Sequence, residues 1–205
     1  MEKQEQRLTE QESLLIIQQM IQAAKQEQKD DGMGWILWGW MLFLASVLTI
    51  INLHYNWVQT FFFWNLFGAV SVVLLLITTA RSFISKNKRG VRTYTADVFA
   101  KLNIGFTITL LLIIVAMNVA LTPTVGFALL TGLYGFWILI YGALLNFKPS
   151  LVAAYIVWAL ALTAMFVPSF GWVMALHATA VLVGYIIPGY MANSAFKRDL
   201  DRQTT

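Results

Sequence analysis

Three long stretches of this chain carry no aspartate, glutamate, lysine or arginine: residues 32–80, 102–147 and 149–196. Each is 46 to 49 residues long, about twice the ~20 residues that a helix needs to cross the hydrocarbon core of a bilayer. The lengths predict three hairpins of membrane-crossing helices. With 59% hydrophobic and 12% charged residues, the chain lies outside the range of a soluble domain, where charged residues make up about 25%. The surplus of apolar side chains is expected to face lipid. The fold class predicted is an all-α integral membrane protein of six spans, preceded by a cytoplasmic amphipathic helix.

The lysines and arginines fall in four places. The N-terminal segment holds four, the 81–101 loop six, the 146–150 loop one and the tail three, while the three opposite turns hold none. Loops rich in Lys and Arg stay on the cytoplasmic side, so both termini are expected there. The formal charge of +4 follows from that asymmetry and implies no affinity for nucleic acid. The chain has no cysteine, which rules out disulfides and thiol chemistry. A polar N-terminus followed by an apolar run too long for a signal sequence predicts that the first span is its own uncleaved insertion signal.

The predicted organisation has three parts. Residues 1–33 form a cytoplasmic segment with a helix over Thr9–Asp31. Thr9 and Glu12 have the spacing of a capping box, and Leu14, Ile17 and Ile21 recur at helical intervals on one face. Gly32 is the expected stop. Residues 34–191 hold the spans, placed at 34–53, 58–80, 102–121, 125–145, 151–167 and 172–191. Residues 192–205 are a polar tail. The short turns contain Pro123, Pro168 and Gly171, which favour sharp reversal over continuous helix. Trp35, Trp38, Trp40, Trp57 and Trp172 fall near the expected interfaces, where aromatic belts form. The three hairpins share no sequence motif, so bilayer thickness explains their equal lengths.

The spans hold no carboxylate or basic side chain. A charge at the bilayer centre costs about 2.5–3.5 kcal/mol on insertion scales, so one that is kept usually marks a proton or ion path. Its absence disfavours a pump built on an acidic carrier but leaves passage of a neutral or lipophilic solute open. His177 is the one titratable imidazole well inside a span. It shares a helical face with Met174, Ala180, Val181, Gly184 and Pro188, small enough to turn toward another helix. Two readings fit it: a proton-sensing or ligand-contacting group, or an imidazole hydrogen-bonded to a neighbouring helix. Asn65, Asn118 and Tyr141 are its candidate partners, and together these four residues define a candidate intramembrane polar site.

Gly184, Pro188 and Gly189 form a candidate hinge. Pro188 removes an amide and crowds the turn before it, so the last span is expected to kink or end near Tyr185. Gly135 and Gly142 lie seven residues apart, nearly on one face, and predict close helix approach. The 81–101 loop carries Lys86, Lys88, Arg89 and Arg92, which fix topology, hold anionic lipid headgroups, or contact nucleic acid or an acidic partner, topology being the favoured reading. The Thr9–Asp31 helix has four basic against seven acidic residues in its segment, a balance suited to docking on protein rather than lying on anionic lipid.

No phosphate loop, H-E-x-x-H, paired intramembrane carboxylates or G-x-S-x-G is present, and no cofactor or metal is expected. The favoured reading is therefore non-enzymatic: an accessory, scaffold or regulatory subunit that docks a protein partner, or a second copy, through its cytoplasmic face. A carrier or channel for a neutral or lipophilic small molecule is the alternative. The run "LTEQESLLIIQQMIQAAKQ…GWILWGWMLFLASVL" before and through the first span, with "GYIIPGYMANSAFKRD" closing the last, resembles a group of uncharacterised bacterial integral membrane proteins of similar size. That resemblance implies a bacterial inner-membrane location and brings no activity or site residue with it.

Overall fold

The structure is a computed structural model that describes residues 31–84 and 94–204. These form α1 (Met33–Tyr55), α2 (Phe62–Ile84), α3 (Tyr94–Val119), α4 (Pro123–Leu144), α5 (Lys148–Met165), α6 (Phe170–Val181), a π-helical turn (Leu182–Ile186) and α7 (Ile187–Thr204). Five stretches among the described residues are long and apolar enough to cross a membrane: Met33–Tyr55, Val98–Val119, Pro123–Leu144, Lys148–Met165 and Phe170–Arg198. Phe62–Leu74 is a shorter apolar helix. The helix expected over Thr9–Asp31, with Leu14, Ile17 and Ile21, falls outside the described residues apart from its last residue, and so do Lys86, Lys88, Arg89 and Arg92.

Helix ends follow local chemistry. Thr122 is the N-cap of α4, where its hydroxyl accepts a long bond from the Val125 amide at 3.5 Å, and Pro123 fills the first turn. Proline is suited there because its missing N–H would have had no partner. Asn56 and Asn146 take left-handed backbone angles after α1 and α4, a conformation asparagine tolerates better than most side chains. After α4, the Phe147 amide bonds back to the Gly142 carbonyl at 2.8 Å, a six-to-one closure that satisfies an orphan helix carbonyl. The α1–α2 turn is pinned by buried Asn52. Its side chain accepts from the Val58 amide at 2.9 Å and donates to the Val58 carbonyl at 3.0 Å.

Glycines set the packing. Gly135 lies under the Trp158 ring and Gly142 against Ser150 and Leu151, so the two glycines spaced by seven both receive α5. Across the same seam the Trp158 indole N–H donates to the Gly132 carbonyl at 2.9 Å. Gly39 meets Tyr185 and Ile186, and Gly184 meets Ile138 and Val157. The π turn is thereby held between α1 on one side and α4 and α5 on the other. Among the described residues, α2 approaches only α1 along its backbone and α3 approaches only α4. No residue of Val98–Val119 is buried.

Two expectations change. Of the kink or end expected near Tyr185, the end does not occur: the last span widens there into the π turn and continues as helix to Thr204. Pro188 lacks the amide that would bond the Gly184 carbonyl and its ring crowds that carbonyl. A wider turn placed just before it relieves both problems without ending the helix. Trp35 does not join an interfacial belt. It is 8% exposed, with its ring 4.2 Å from Tyr141 and 4.8 Å from Tyr185 between centroids. Trp57 and Trp172 remain well exposed, and Trp40 reaches the Tyr190 hydroxyl at 3.3 Å.

Candidate functional site

His177 sits on α6 at 1% exposure, and the small-residue face around it (Met174, Ala180, Val181, Gly184, Pro188) is buried with it. Its partner is Thr131 of α4, with Nδ1 and Oγ1 2.9 Å apart. None of the three partners expected from sequence takes that role. Asn118 is exposed on α3 and donates to the Ile114 carbonyl of its own helix at 2.8 Å. Asn65 is exposed on α2. Tyr141 is buried but lies nearer the start of α1, with its ring tilted against Trp35. The four residues of the candidate polar site are therefore not brought together.

The Thr131 hydroxyl also lies 2.7 Å from the Phe127 carbonyl, to which it donates. A hydroxyl has one proton. With that proton given to Phe127, the Thr131 oxygen is the acceptor for His177, so Nδ1 carries the hydrogen. The other nitrogen of a neutral imidazole is then a bare acceptor. His177 Nε2 is buried and has no hydrogen-bond partner. Around the imidazole stand three rings, at centroid distances of 5.4 Å for Trp64, 5.5 Å for Tyr134 and 5.8 Å for Phe127.

Trp64 adds the complementary atom. Its indole Nε1 is also buried and unpartnered, and it can only donate. An unpaired acceptor and an unpaired donor thus belong to adjacent rings. Leaving a buried polar group unsatisfied costs about 1–3 kcal/mol, so the pair is an energetic liability as it stands. The third unpaired atom is Ser150 Oγ, on a residue whose Cβ faces Gly142 in the α4–α5 seam.

Thr131 and Trp64 were not legible as site residues. Threonines and serines on these helices commonly bond the carbonyl four residues back, as Ser46, Thr49, Thr163 and Thr179 do. Only the second contact separates Thr131 from them. Trp64 reads in sequence as one more aromatic in an apolar run. The candidate hinge residues are all buried, and Gly189 packs on Ile36 and Trp35. Among the described residues there is no group of three His, Cys, Asp or Glu side chains able to hold a metal. Comparison with protein-family models, curated proteins and solved structures returned no match.

Thr131→Val keeps the shape of the side chain and removes the acceptor for Nδ1–H. The expected destabilisation is about 1–2 kcal/mol, between the cost of a buried orphan and the ~0.6 kcal/mol average for hydrogen bonds between membrane helices. Thr131→Ser should recover most of it. Thermal unfolding of the purified protein in detergent reads the difference; equal melting of the Val and Ser variants would remove the hydrogen bond from the account.

Proposed function

We propose that this chain is a six-span protein of the bacterial inner membrane with both termini in the cytoplasm. It works without catalysis, as an accessory, scaffold or regulatory subunit that docks partners on its cytoplasmic face. The charge asymmetry of the loops supports the orientation. The uncharged block that runs on from Phe62–Leu74 to Ala80 supports a sixth crossing. The observation that carries the docking reading is the junction between the two ends of the bundle. Asn193 of α7 donates to the Asp31 carbonyl at 2.8 Å. Gly32, at φ 69°, lies so close to the Gly189 carbonyl that a side-chain carbon there would come within 2.5 Å of it. The point where residues 1–30 join the bundle is thus fixed beside the base of α7, whose Lys197, Arg198 and Asp201 are exposed. That placement supports a docking platform to which both the N-terminal segment and α7 contribute.

Deleting residues 1–30 is expected to leave insertion and melting temperature unchanged while removing bound partner, or self-association, from the protein purified in mild detergent. The measurement is mass analysis of the intact complexes with and without the segment. Identical complexes from the two forms would overturn the docking reading.

A second reading, passage of a neutral or lipophilic solute, is favoured by the unpaired acceptor and donor at His177 and Trp64. It predicts saturable solute flux into proteoliposomes that Trp64→Phe abolishes, and it fails if the reconstituted protein adds no flux over lipid alone.

A further inference from the structure

We propose that His177 and Trp64 form a binding site for the hydroxyl group of a neutral amphiphile dissolved in the bilayer, a long-chain alcohol being the simplest case. The proposal rests on the solute reading for the site alone; it concerns binding and stands whether or not the ligand crosses.

A hydroxyl carries the complement of both atoms, one acceptor and one donor. Its oxygen accepts from Trp64 Nε1–H and its proton goes to His177 Nε2, the two atoms that the fold leaves buried and unpaired. An ether or ester oxygen answers only the tryptophan, and an ammonium only the histidine. A carboxylate or phosphate would bring charge into a region where residues 32–80, 102–147 and 149–196 hold no countercharge. The surrounding Trp64, Phe127 and Tyr134 rings suit an apolar tail rather than a polyol.

The arrangement of helices gives the direction of access. Trp64 is carried by α2, which approaches only α1 along its backbone, and α3 approaches only α4. Outward from them, Leu66, Val70 and Val73 on α2 and Leu111, Leu112 and Val115 on α3 are exposed, as lipid-facing rows would be. Both unpaired atoms are enclosed, so occupation displaces the Trp64 ring. A helix with one backbone neighbour gives way more readily than α4 or α5, which are held along a common seam.

The test uses the full chain in phosphatidylcholine nanodiscs with hexadecanol bearing a diazirine, and the methyl ether of the same probe. Saturable labelling is expected on peptides containing Trp64, Phe127 or Tyr134. The ether should label about tenfold less well, the worth of roughly one buried hydrogen bond. Trp64→Phe and His177→Phe should each lower labelling by about the same factor. If either variant fails to fold, the alcohol-to-ether ratio on the unaltered protein decides alone. Dodecanol should compete and glycerol should not; glycerol competing equally would place the source in water and overturn the bilayer route. Equal labelling by alcohol and ether overturns the proposal. So does the absence of saturable labelling, since a bridging water or a direct Trp64–His177 bond would then account for the two atoms. Binding without flux would remove passage and leave this site in place.

Discussion

Trp35→Ala is expected to destabilise the bundle by about 2–4 kcal/mol, well beyond Trp40→Ala. A buried tryptophan truncated to alanine costs about 3–5 kcal/mol in a soluble core. Inside a bilayer the estimate falls, because lipid is as apolar as the core and the loss is chiefly one of packing. Aromatic pairs contribute about 0.5–1.5 kcal/mol each beyond area, and Trp35 makes two, with Tyr141 of α4 and Tyr185 of the π turn. Its Cβ also abuts Gly189. Alanine keeps that Cβ, so removing the ring loosens α1 against α4 and the π turn while the contact with Gly189 stays. Trp40 is 40% exposed and loses its long bond to Tyr190 and an edge contact with Phe43 of its own helix. A belt role for both residues predicts equal effects, so thermal unfolding of the two variants separates the readings. Equal losses would return Trp35 to the interface.

The contrast shows which part of the fold the sequence carries. Uncharged blocks report where long apolar helices run: the expected 34–53 and 125–145 correspond to Met33–Tyr55 and Pro123–Leu144. Charge does not report where a helix stops. α3 starts at Tyr94 and runs through Lys101, and α7 passes Lys197 and Arg198 to Thr204, because backbone hydrogen bonding continues into water where side chains change character. Trp35 was misread for a related reason. Tryptophans near a span end suit either an interface or a core, and only the neighbouring helices decide.

The site was legible by half. The small-residue face beside His177 marked it as buried between helices, since a large lipid-facing stripe would have bulkier residues there. Its partner could not be read, because Thr131 and His177 lie 46 residues apart and sequence periodicity orders residues only along one helix. Asn118 is one of three candidate partners by polarity, yet its amide donates to a carbonyl of its own helix. Leu14, Ile17, Ile21, Lys86, Lys88, Arg89 and Arg92 are proposed as docking residues from amphipathicity and charge alone.

Gly142→Ala is expected to destabilise by about 1–3 kcal/mol, the usual cost of overpacking, and Gly142→Val by more. The added methyl would lie 2.8 Å from Ser150 Cβ and 3.0 Å from the Leu151 amide nitrogen. Neither atom can rotate away, so α4 and α5 must separate, which also strains the Trp158 bond to the Gly132 carbonyl. Gly126 is the informative comparison. A methyl there would come closer still to Met117, but the atoms it meets run from Cγ to the end of an unbranched side chain, which rotation about its first torsion carries aside. Distance alone ranks Gly126→Ala as the worse change; the mobility of the neighbour reverses the order. Gly105 has nothing within 4 Å of that position, so Gly105→Ala should be neutral or gain up to about 1 kcal/mol of helix propensity. Thermal unfolding in one detergent should thus rank Gly142→Ala below Gly126→Ala, and Gly126→Ala below Gly105→Ala. A Gly126 variant that melts first would mean that the α4–α5 seam yields more easily than its backbone contacts imply, and that α3 is held against α4 more tightly than its exposure indicates.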